Sequence, residues 1–360
     1  MARIVSVVSN GCDPDPRVLR EARWLVDAGH DVTIHAFDRL ENLESVSEEN
    51  GVRIVRHRVG VTPYGGSYST IRGIQKFRKS VSNKIGEVDI LHCHDADMLP
   101  LMNQVNAKYT LFDMHDLHHT WVRMANPKSL FRKFVSARMK RGMLSRARLA
   151  DAVVTSSRYF SEWLSEFGIH SISVENRVEK QSQLEIPKSP TIGYFGRIRE
   201  SSSFQLLFES LKLIEFNSRP NVIIAGDGVS VGTVEELSKN YPDIDIQIRT
   251  GFNHSEFPSM MAEISIMFAM YSPDRGNIAE GAIPSKMFEA AAFGRPTIVN
   301  AATPMAEICE MESLGSGVKW GDVEGLANTI SSLHGTTVEL AHDESIEREK
   351  FLNVVNGFKI

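Results

Sequence analysis

One stretch of this chain, residues 266–300, constrains the fold more than any other. It reads IMFAMYSPDRGNIAEGAIPSKMFEAAAFGRPTIVN, in which two apolar runs enclose a loop that contains glycine and proline. Pro284 has a backbone dihedral preset for the first turn of a helix and Gly294 is a typical helix stop, so we expect a helix over 284–293. Strand, loop, helix and strand form a βαβ unit, and parallel sheets bind ligands at the carboxyl ends of their strands.

Three polar residues lie at the start of this expected helix. Ser285 stands where backbone N–H groups have no helical partner and the helix dipole is positive, which suits a phosphate group. Lys286 lies in the same turn, and Glu289 follows three residues later on the same face. An anion site, an ammonium and a carboxylate on one edge suit a nucleotide diphosphate. The alternative is an ordinary surface ion pair between Lys286 and Glu289.

Histidines and carboxylates cluster after two other apolar runs. Residues 88–93 and 109–114 both read as buried parallel strands. Imidazole and carboxylate are ordinary ligands of zinc or iron, so a metal site is one alternative. We expect no metal, because parallel sheets gather functional loops at these strand ends and no cysteine ligand or HExxH pair accompanies the clusters. The clustered residues are His92, His94, Asp95 and Asp97 after the first strand, and His115, Asp116, His118 and His119 after the second.

The composition limits the class of protein. At 360 residues with 42% hydrophobic residues, the chain is long enough for two domains with full cores. Its three cysteines are widely spaced and match no metal or disulfide pattern, which favours a reducing compartment. The N-terminal apolar run is too short for a signal peptide, and no run approaches the ~20 residues of a membrane-spanning helix. We therefore expect a cytoplasmic protein.

Charge and element order divide the chain into two halves. Residues 1–178 carry a net charge of +5 and residues 179–360 a net charge of −10, so only the first half is expected to meet an anionic surface. Strand and helix patterns alternate in both halves, which predicts an α/β fold with two doubly wound parallel sheets. We expect domains at residues 1–178 and 191–340, a polar linker with two prolines at 179–190, and a helical tail at 341–360.

Four motifs together resemble glycosyltransferase family 4. They are DPRVLREA at residues 15–22, HD at 115–116, GR at 196–197 and PSKMFEAAAFGRP at 284–296. The resemblance implies the GT-B architecture, in which two Rossmann-like domains face each other across a cleft and a C-terminal helix returns to the first domain. It also implies a retaining, metal-independent hexosyltransferase without a cofactor, whose donor is a nucleotide-diphosphate sugar of the UDP or GDP type.

The resemblance implies donor contacts in the second half of the chain. The Glu289 carboxylate would hold the donor ribose, and Lys286 and Arg197 would approach the diphosphate. The family usually has a lysine soon after this arginine, whereas the chain reads ESSSF there, so our hypothesis is that Lys286 replaces the missing charge. A second glutamate eight positions before Glu289 occurs in one family variant, but that position is Gly281, and Glu280 is one residue off. The other donor-binding candidates are Gly196, Gly226, Ser285 and, near the base, Phe252.

The same resemblance implies catalytic and acceptor-binding residues in the first half. The phrase LFDMHDLHHTW matches the family's strand that ends in His-Asp, whose histidine faces the reaction centre. His115, with Asp116, is therefore the catalytic candidate, and would hydrogen-bond the sugar or stabilise a developing oxocarbenium ion. In the family the loop after the first strand lies under the acceptor; the alternative here is a plain strand–turn–helix in which Arg17 pairs with a neighbouring carboxylate. The acceptor-binding candidates are Asn10, Gly11, Asp15 and Arg17.

Residues 128–148 carry eight basic side chains and no acidic one. Apolar residues recur at three- and four-residue steps from Leu130 to Leu144, which predicts a basic amphipathic helix that can lie on an anionic membrane surface. The alternative is that the apolar stripe packs inside the domain while the basic face is solvated. Nucleic acid is not an expected partner, because no RNA-binding or helix-turn-helix signature accompanies the patch.

These inferences combine into one expected function. The chain is expected to be a retaining glycosyltransferase, peripheral on the inner face of the membrane, that acts in cell-envelope glycan biosynthesis. It would transfer a sugar from a nucleotide-diphosphate sugar to a hydroxyl of a glycan or lipid-linked acceptor. Two alternatives stay open: a GT-B sugar-nucleotide epimerase, which needs no acceptor, and a nucleotide-sugar-binding module without activity, which would account for the missing lysine and for Gly281.

Overall fold

The chain folds into two compact units. The computed structural model describes residues 1–63, 68–124, 126, 128–252 and 254–359. Residues 1–176 together with 345–360 form the first unit, and residues 177–344 form the second.

A mostly parallel sheet forms the centre of the first unit. Its strands are β1 (Arg3–Val8), β2 (Asp31–Phe37), β3 (Val46–Glu49), β4 (Val52–His57), β5 (Val88–His94), β6 (Ala107–Met114), β7 (Ala152–Thr155) and β8 (Ile172–Ser173). Among the described residues the strands lie in the order β3-β4-β2-β1-β5-β6-β7-β8, and only β3 and β4 pair in antiparallel fashion. The order reverses between β1 and β5, so the carboxyl ends of these strands border the crevice where such sheets bind ligands.

Helices connect the strands of the first unit and cover its sheet. Asp15 caps the first helix by accepting a hydrogen bond from the Val18 N–H, and Pro16 occupies the first helical position, as the sequence DPR predicts. Trp24 on the same helix is buried in the core beside the strand residues Ile4 and Ile34. The helices are α1 (Pro16–Asp27), α2 (Tyr68–Lys84), α3 (His118–Met124), α4 (Leu130–Ala147) and α5 (Arg158–Ser165), with a 3₁₀ helix at Leu99–Asn103.

The second unit has the strand order of dinucleotide-binding folds. Its strands are β9 (Thr191–Phe195), β10 (Asn221–Gly226), β11 (Ile246–Thr250), β12 (Ile266–Ala269), β13 (Thr297–Asn300) and β14 (Gly315–Val318). Over the described residues they are all parallel, in the order β11-β10-β9-β12-β13-β14, which reverses between β9 and β12. The helices are α6 (Ser202–Leu211), α7 (Val231–Ser238), α8 (Phe257–Glu263), α9 (Gly276–Ala279), α10 (Lys286–Ala292), α11 (Pro304–Met311) and α12 (Val323–Leu333), with 3₁₀ helices at Phe216–Ser218 and His254–Glu256.

The α/β prediction with two doubly wound parallel sheets is confirmed. The βαβ unit of residues 266–300 is present as β12, α10 and β13. Its helix begins at Lys286 rather than at Pro284, because the first helical hydrogen bond runs from the Glu289 N–H to the Ser285 carbonyl. Ser285 is thus the N-cap residue, although its side chain makes no capping hydrogen bond.

The segment expected to be a linker lies along the second unit. The Arg295 side chain is fully buried, and its guanidinium donates hydrogen bonds to the carbonyls of Leu184 and Glu185, at 3.0 and 2.6 Å. Lys180 forms an ion pair with Glu339 in the same unit. The expected linker, residues 179–190, therefore contributes packing contacts to the second unit.

The last helix, α13 (Glu344–Asn356), completes the core of the first unit. Phe351 is fully buried, with its ring 5.7 Å from that of Trp24. The Glu347 carboxylate accepts a hydrogen bond of 2.7 Å from the Glu175 N–H. In the part of the chain that is described, no helix combines the length and the apolar character needed to cross a bilayer.

Helix α4 does not carry the single apolar stripe that the sequence predicts. Its second half packs inward through Met143 and Leu144, which are buried. Leu130, Phe131 and Phe134 in its first half are 80, 74 and 67% exposed. The expected stripe is therefore wrong as one continuous face, because three- and four-residue steps over four turns drift around the helix and the packed side selects only part of them.

Candidate active site

Two glycine loops touch at the strand reversal of the second unit. Gly196 follows β9 and Gly226 ends β10, and the Gly196 N–H donates a 2.8 Å hydrogen bond to the Ala225 carbonyl. A Cβ added to Gly226 would lie 1.9 Å from the Gly196 carbonyl oxygen, and Gly226 has a φ of +148°. Only glycine satisfies both the contact and the dihedral. The two loops are therefore held backbone to backbone, as a close approach to a nucleotide requires.

The Lys286 side chain points back to these loops. Its ammonium lies 4.7 Å from the centroid of the Tyr194 ring and 5.9 Å from that of Tyr271, which is cation–π geometry. A Cβ on Gly196 would be 2.9 Å from its Nζ. Among the described residues Lys286 has no carboxylate within ion-pair distance, and Glu289 is not its partner. The ordinary ion pair between Lys286 and Glu289 is therefore not formed.

Two tyrosines that sequence reasoning missed frame this ammonium. The Tyr194 hydroxyl donates a 2.8 Å hydrogen bond to the Arg197 carbonyl. Tyr271 is 3% exposed, yet its hydroxyl has no hydrogen-bond partner among the described residues, and burial raises its pKa. The available signal was their place in the sequence, since Tyr194 is the penultimate residue of β9 and Tyr271 follows β12, the two strands at the reversal point.

The other donor candidates lie around the same strand ends. Arg197 is exposed and Glu289 half-buried, and neither side chain pairs with another described residue. Phe252 is half-buried, with its ring 6.4 Å from that of Phe195, and the preceding Gly251 N–H bonds the Gly226 carbonyl at 3.1 Å. Ser285 is half-buried beside Lys286, whereas Glu280 is exposed in the turn before Gly281. The structure therefore gathers Gly196, Arg197, Gly226, Phe252, Ser285 and Lys286, while Glu289 lies one turn further along α10.

In the first unit, His115 follows β6 and lies between carboxylates. Its Nε2 is 2.8 Å from Asp113 Oδ2 and 3.0 Å from His94 Nδ1, and its Nδ1 is 3.6 Å from Asp95 Oδ2. The side chain remains 17% exposed. Burial by itself would lower the pKa of His115, but Asp95 and Asp113 outweigh it and raise that pKa to about 10.

The charge of His115 decides what it can do. Because the ring is an imidazolium at neutral pH, it donates hydrogen bonds or stabilises negative charge, and it cannot act as a base. Its two ring nitrogens face Asp113 and Asp95, and the expected hydrogen bond from His115 to the sugar remains a prediction. A protonated ring would repel an oxocarbenium ion, so the geometry does not favour the expected stabilisation of that ion.

A buried arginine, Arg17, forms an ion pair with Asp113. Arg17 is buried, and its guanidinium donates to both Asp113 oxygens, at 2.8 and 2.7 Å, and to the Val174 carbonyl at 2.6 Å. Burial opposes the ionisation of Asp113, but Arg17 and then His115 offset it and hold the pKa of Asp113 well below its usual range. The structure thus favours the alternative in which Arg17 pairs with a carboxylate, because its N–H groups point into the unit and not toward an acceptor.

The buried cluster also tests the metal alternative. Glu21, His92, His94 and Asp113 each bring one potential ligand atom to within 4.8 Å of the others. The Arg17 guanidinium already lies 3.0 Å from Glu21 and 2.7 Å from Asp113. Burial raises the pKa of Glu21 to about 8, although Arg17 opposes the shift. Arg17 therefore already supplies positive charge to two of the four potential ligands, and metal independence remains a prediction.

The remaining candidates of the first unit shape the loop after β1. Asn10 donates to the Asp15 carboxylate and accepts from the Cys12 N–H, both at 2.8 Å. The Gly11 carbonyl accepts a 2.8 Å hydrogen bond from Arg56. Asp116 accepts from the Leu117 N–H at 2.7 Å. Asn10, Gly11 and Asp15 lie in the loop after β1, at the strand reversal between β1 and β5, and their role toward an acceptor remains a prediction. Asp116 follows β6, and its catalytic role also remains a prediction.

Sequence reasoning did not identify the partners of His115. In the paired strands β5 and β6, His94 stands opposite Asp113. Because side chains alternate along a strand, His92 and His94 share one face, and so do Asp113 and His115. The two-residue spacing in both clusters was the available signal.

Two family models match this chain. Glycosyltransferase Family 4 matches residues 17–175, and Glycosyl transferases group 1 matches residues 176–343. The succinoglycan biosynthesis protein ExoL of Rhizobium meliloti (strain 1021) is 23% identical over 346 residues, which are 89% of this chain and 82% of ExoL.

Solved structures of the same fold cover almost the whole chain. Sucrose-phosphate synthase from Thermosynechococcus elongatus has a TM-score of 0.72 at 16% identity, over 99% of this chain and 95% of its own. HepE of Anabaena, in complex with UDP and glucose, has a TM-score of 0.64 at 14% identity, over 99% and 98%. The two family models together extend from residue 17 to residue 343 without a gap, and the chain therefore belongs to the glycosyltransferases of the family 4 type, with the GT-B fold.

Proposed function

We propose that this glycosyltransferase is a retaining, metal-independent hexosyltransferase that uses a nucleotide-diphosphate sugar. The observation that carries the proposal is the set of unpaired charges at one strand reversal. Arg197, Lys286 and Glu289 make no ion pair with other described residues, although they lie beside two glycine loops that hold backbone close to backbone. Charged side chains without an ion-pair partner are suited to a ligand that brings both phosphates and hydroxyl groups.

Each side chain has a distinct role in this proposal. Lys286 and Arg197 neutralise the diphosphate, Glu289 accepts hydrogen bonds from the ribose hydroxyls, and Phe252 borders the base. As the bond from the sugar C1 to the diphosphate oxygen breaks, an acceptor hydroxyl forms its bond to C1 on the same face and passes its proton to the leaving diphosphate. The two cations stabilise the negative charge that develops on the leaving diphosphate. His115 remains the candidate catalytic residue of the first unit.

The proposed donor and acceptor follow from chemistry that related proteins share. HepE binds UDP and glucose, which favours a UDP sugar over a GDP sugar for this chain. ExoL is named for succinoglycan biosynthesis, which favours a glycan or lipid-linked acceptor in cell-envelope glycan biosynthesis. A cytoplasmic enzyme at the inner face of the membrane would meet both substrates.

Donor binding is the first test, because a ligand that binds only the native state raises the melting temperature. We would measure thermal shifts with UDP, GDP, ADP and CMP sugars on the wild type, on Glu289→Ala and on Glu324→Ala. Glu324 is an exposed acid in the first turn of α12 in the same unit and serves as the matched control. A shift with one nucleotide class that Glu289→Ala loses and Glu324→Ala keeps supports the donor site. If no nucleotide shifts the wild type, the donor proposal fails.

Product analysis then separates transfer from its alternatives. Donor consumption that requires an acceptor, with the anomeric configuration kept in the NMR spectrum of the product, supports a retaining transferase. Consumption without an acceptor, with a changed sugar on the nucleotide, would indicate an epimerase. Binding without consumption under either condition would indicate a module without activity. Activity that EDTA leaves unchanged supports metal independence.

A further inference from the structure

The outward side of α4 combines exposed apolar and basic side chains. With about 100° per residue, Leu130, Phe131 and Phe134 project from the side opposite the buried Ser136 and Met143. These three apolar side chains are 80, 74 and 67% exposed. Soluble proteins rarely leave neighbouring large apolar side chains in water without an interaction that covers them.

Basic residues continue the same outward side. Arg138 follows Phe134 by four residues and Arg141 follows it by seven, which places both on the face of Phe134. Both are exposed, as are Lys128 and Lys133, and none of the four forms an ion pair with a described residue. The chain has no acidic residue from position 117 to position 150, so nothing within this segment offsets the charge.

The opposite side of the helix anchors it to the unit. The Ser136 hydroxyl donates a 2.6 Å hydrogen bond to the His119 carbonyl, and Arg132 donates to the Val122 carbonyl at 2.9 Å. Lys140 lies over the rings of Trp163 and Phe167, at 4.8 and 4.3 Å from their centroids. The outward residues are thus presented by a helix whose other side is already packed.

We infer that this surface, formed by Leu130, Phe131, Phe134, Arg138 and Arg141, docks on an anionic lipid bilayer. The three apolar side chains enter the headgroup boundary and the two arginines pair with lipid phosphates. An anionic bilayer fits this surface better than a protein partner does, because the bilayer surface is uniformly negative. A bilayer can also cover the three apolar side chains without a complementary pocket. The inference assigns a surface to the membrane location in the proposed function, and it does not depend on which sugar is transferred.

Vesicle sedimentation with the full chain tests the inference. The probes are vesicles of phosphatidylcholine alone and of phosphatidylcholine with one quarter phosphatidylglycerol. We expect the wild type to bind the anionic vesicles and to bind the neutral ones at least ~10-fold more weakly, with binding that falls as salt is added. Phe131→Ser combined with Phe134→Ser should lower partitioning by about 10-fold. Phe216→Ser, at a residue 71% exposed in the second unit, should leave it unchanged.

Reversing the charge of the two arginines tests the inference independently. Arg138→Glu combined with Arg141→Glu should abolish binding to the anionic vesicles. Lys188→Glu combined with Lys319→Glu makes the same change in net charge at exposed positions of the second unit and should retain binding. All the substituted residues are exposed, so circular dichroism and the melting temperature should match the wild type. The inference would be overturned if the wild type did not bind the anionic vesicles. It would also be overturned if the Phe131/Phe134 and Arg138/Arg141 variants bound them as well as the wild type does. Self-association in sedimentation velocity that the Phe131/Phe134 variant loses would identify a second copy as the occupant instead.

Discussion

At the scale of single residues, Lys286 is placed for a ligand more than for the fold. Its ammonium contacts aromatic rings and, within the described part of the chain, no carboxylate. Lys286→Ala should therefore weaken binding of the proposed donor by ~10-fold to 100-fold, the value of one charge-assisted hydrogen bond, while the melting temperature without nucleotide changes little. Lys212, which lies over the Tyr241 ring at 5.7 Å in the same unit, is a matched control.

Calorimetric titration with the nucleotide sugar that gives the thermal shift measures this difference. The variant Lys212→Ala should bind as the wild type does. Equal affinities for wild type and Lys286→Ala would show that the ammonium does not contact the diphosphate. Arg197 would then be the candidate that binds the diphosphate.

His115 predicts a pH dependence of stability. Its pKa is raised from 6.5 to about 10 in the folded chain, so between pH 7 and pH 9 the folded state holds a proton that the unfolded state releases. A raised histidine pKa stabilises the fold fully below its unfolded value, and this stabilisation is lost as the pH rises through the folded value. The free energy of unfolding should therefore fall from pH 7 to pH 9. Glu21, with a pKa near 8, acts in the same direction up to that pH.

Urea unfolding at pH 8 and pH 9, compared between the wild type and His115→Asn, isolates the histidine, because Glu21 titrates in both proteins. The buried cysteines have a usual pKa of 9.0, so they contribute mainly above this window. His115→Asn should have a flatter dependence than the wild type. The same slope in both proteins would mean that His115 is not charged in the folded chain.

The residue scale also shows where sequence reasoning stops. Helix boundaries, glycine turns and the resemblance identify Lys286 and Glu289, because those signals are local. The pairing of Arg17 with Asp113 and of His94 with His115 joins residues that are far apart in the sequence, and the alternation within one strand does not reveal which strands are neighbours. Tyr271 was read only as part of an apolar run, since a buried hydroxyl without a partner is visible only in three dimensions.

At the scale of elements, the contact between the two glycine loops should not tolerate a side chain. Gly226→Ala would place a methyl group 1.9 Å from the Gly196 carbonyl oxygen at a φ of +148°. We expect destabilisation of about 1–3 kcal/mol and loss of nucleotide binding, because the loops must separate. Gly232 lies in α7 with nothing within 4 Å of an added Cβ, so Gly232→Ala should be neutral or stabilising.

Chemical denaturation and the nucleotide-induced thermal shift, measured on both variants, check this prediction. A Gly226→Ala protein with wild-type stability would show that the loops relax without cost. If it also kept the nucleotide-induced shift, the loop contact would have no part in binding.

Helix α4 shows which property of an element is predictable. The sequence predicts that the helix exists and that it is basic, because its 18 residues include no proline and no acidic residue. Its orientation does not, because the apolar residues lie on more than one side and only the packing of Met143 and Leu144 shows which side faces inward. Local pattern specifies the helix, and tertiary contacts select its buried face.

At the scale of the whole molecule, the alternation of strands and helices was enough to predict two doubly wound sheets. It could not give the strand order, since β1 pairs with β5 across more than 80 residues of sequence. Periodicity likewise could not predict that the last helix packs in the core of the first unit, and only the resemblance implied it. The apolar residues of α13 indicate that the helix is buried, but they do not indicate which unit it packs against.

The return of this helix gives a prediction for the whole chain. Phe351 is fully buried in the first unit, where its ring lies 5.7 Å from those of both Trp24 and His92. Phe351→Ala should destabilise that unit by about 3–5 kcal/mol, because it removes a buried ring and leaves a cavity. The nucleotide site is built from residues of the second unit, so its affinity for the donor nucleotide should not change.

Differential scanning calorimetry with and without that nucleotide separates the two effects. We expect Phe351→Ala to lower the transition of the first unit, while the nucleotide raises the transition of the second unit by the same amount as in the wild type. Ile346→Ala removes a side chain that is 41% exposed on the same helix and should lower the first transition much less. One transition that moves as a whole with both the substitution and the nucleotide would show that the units unfold together, and that the last helix stabilises the donor site as well as the core it enters.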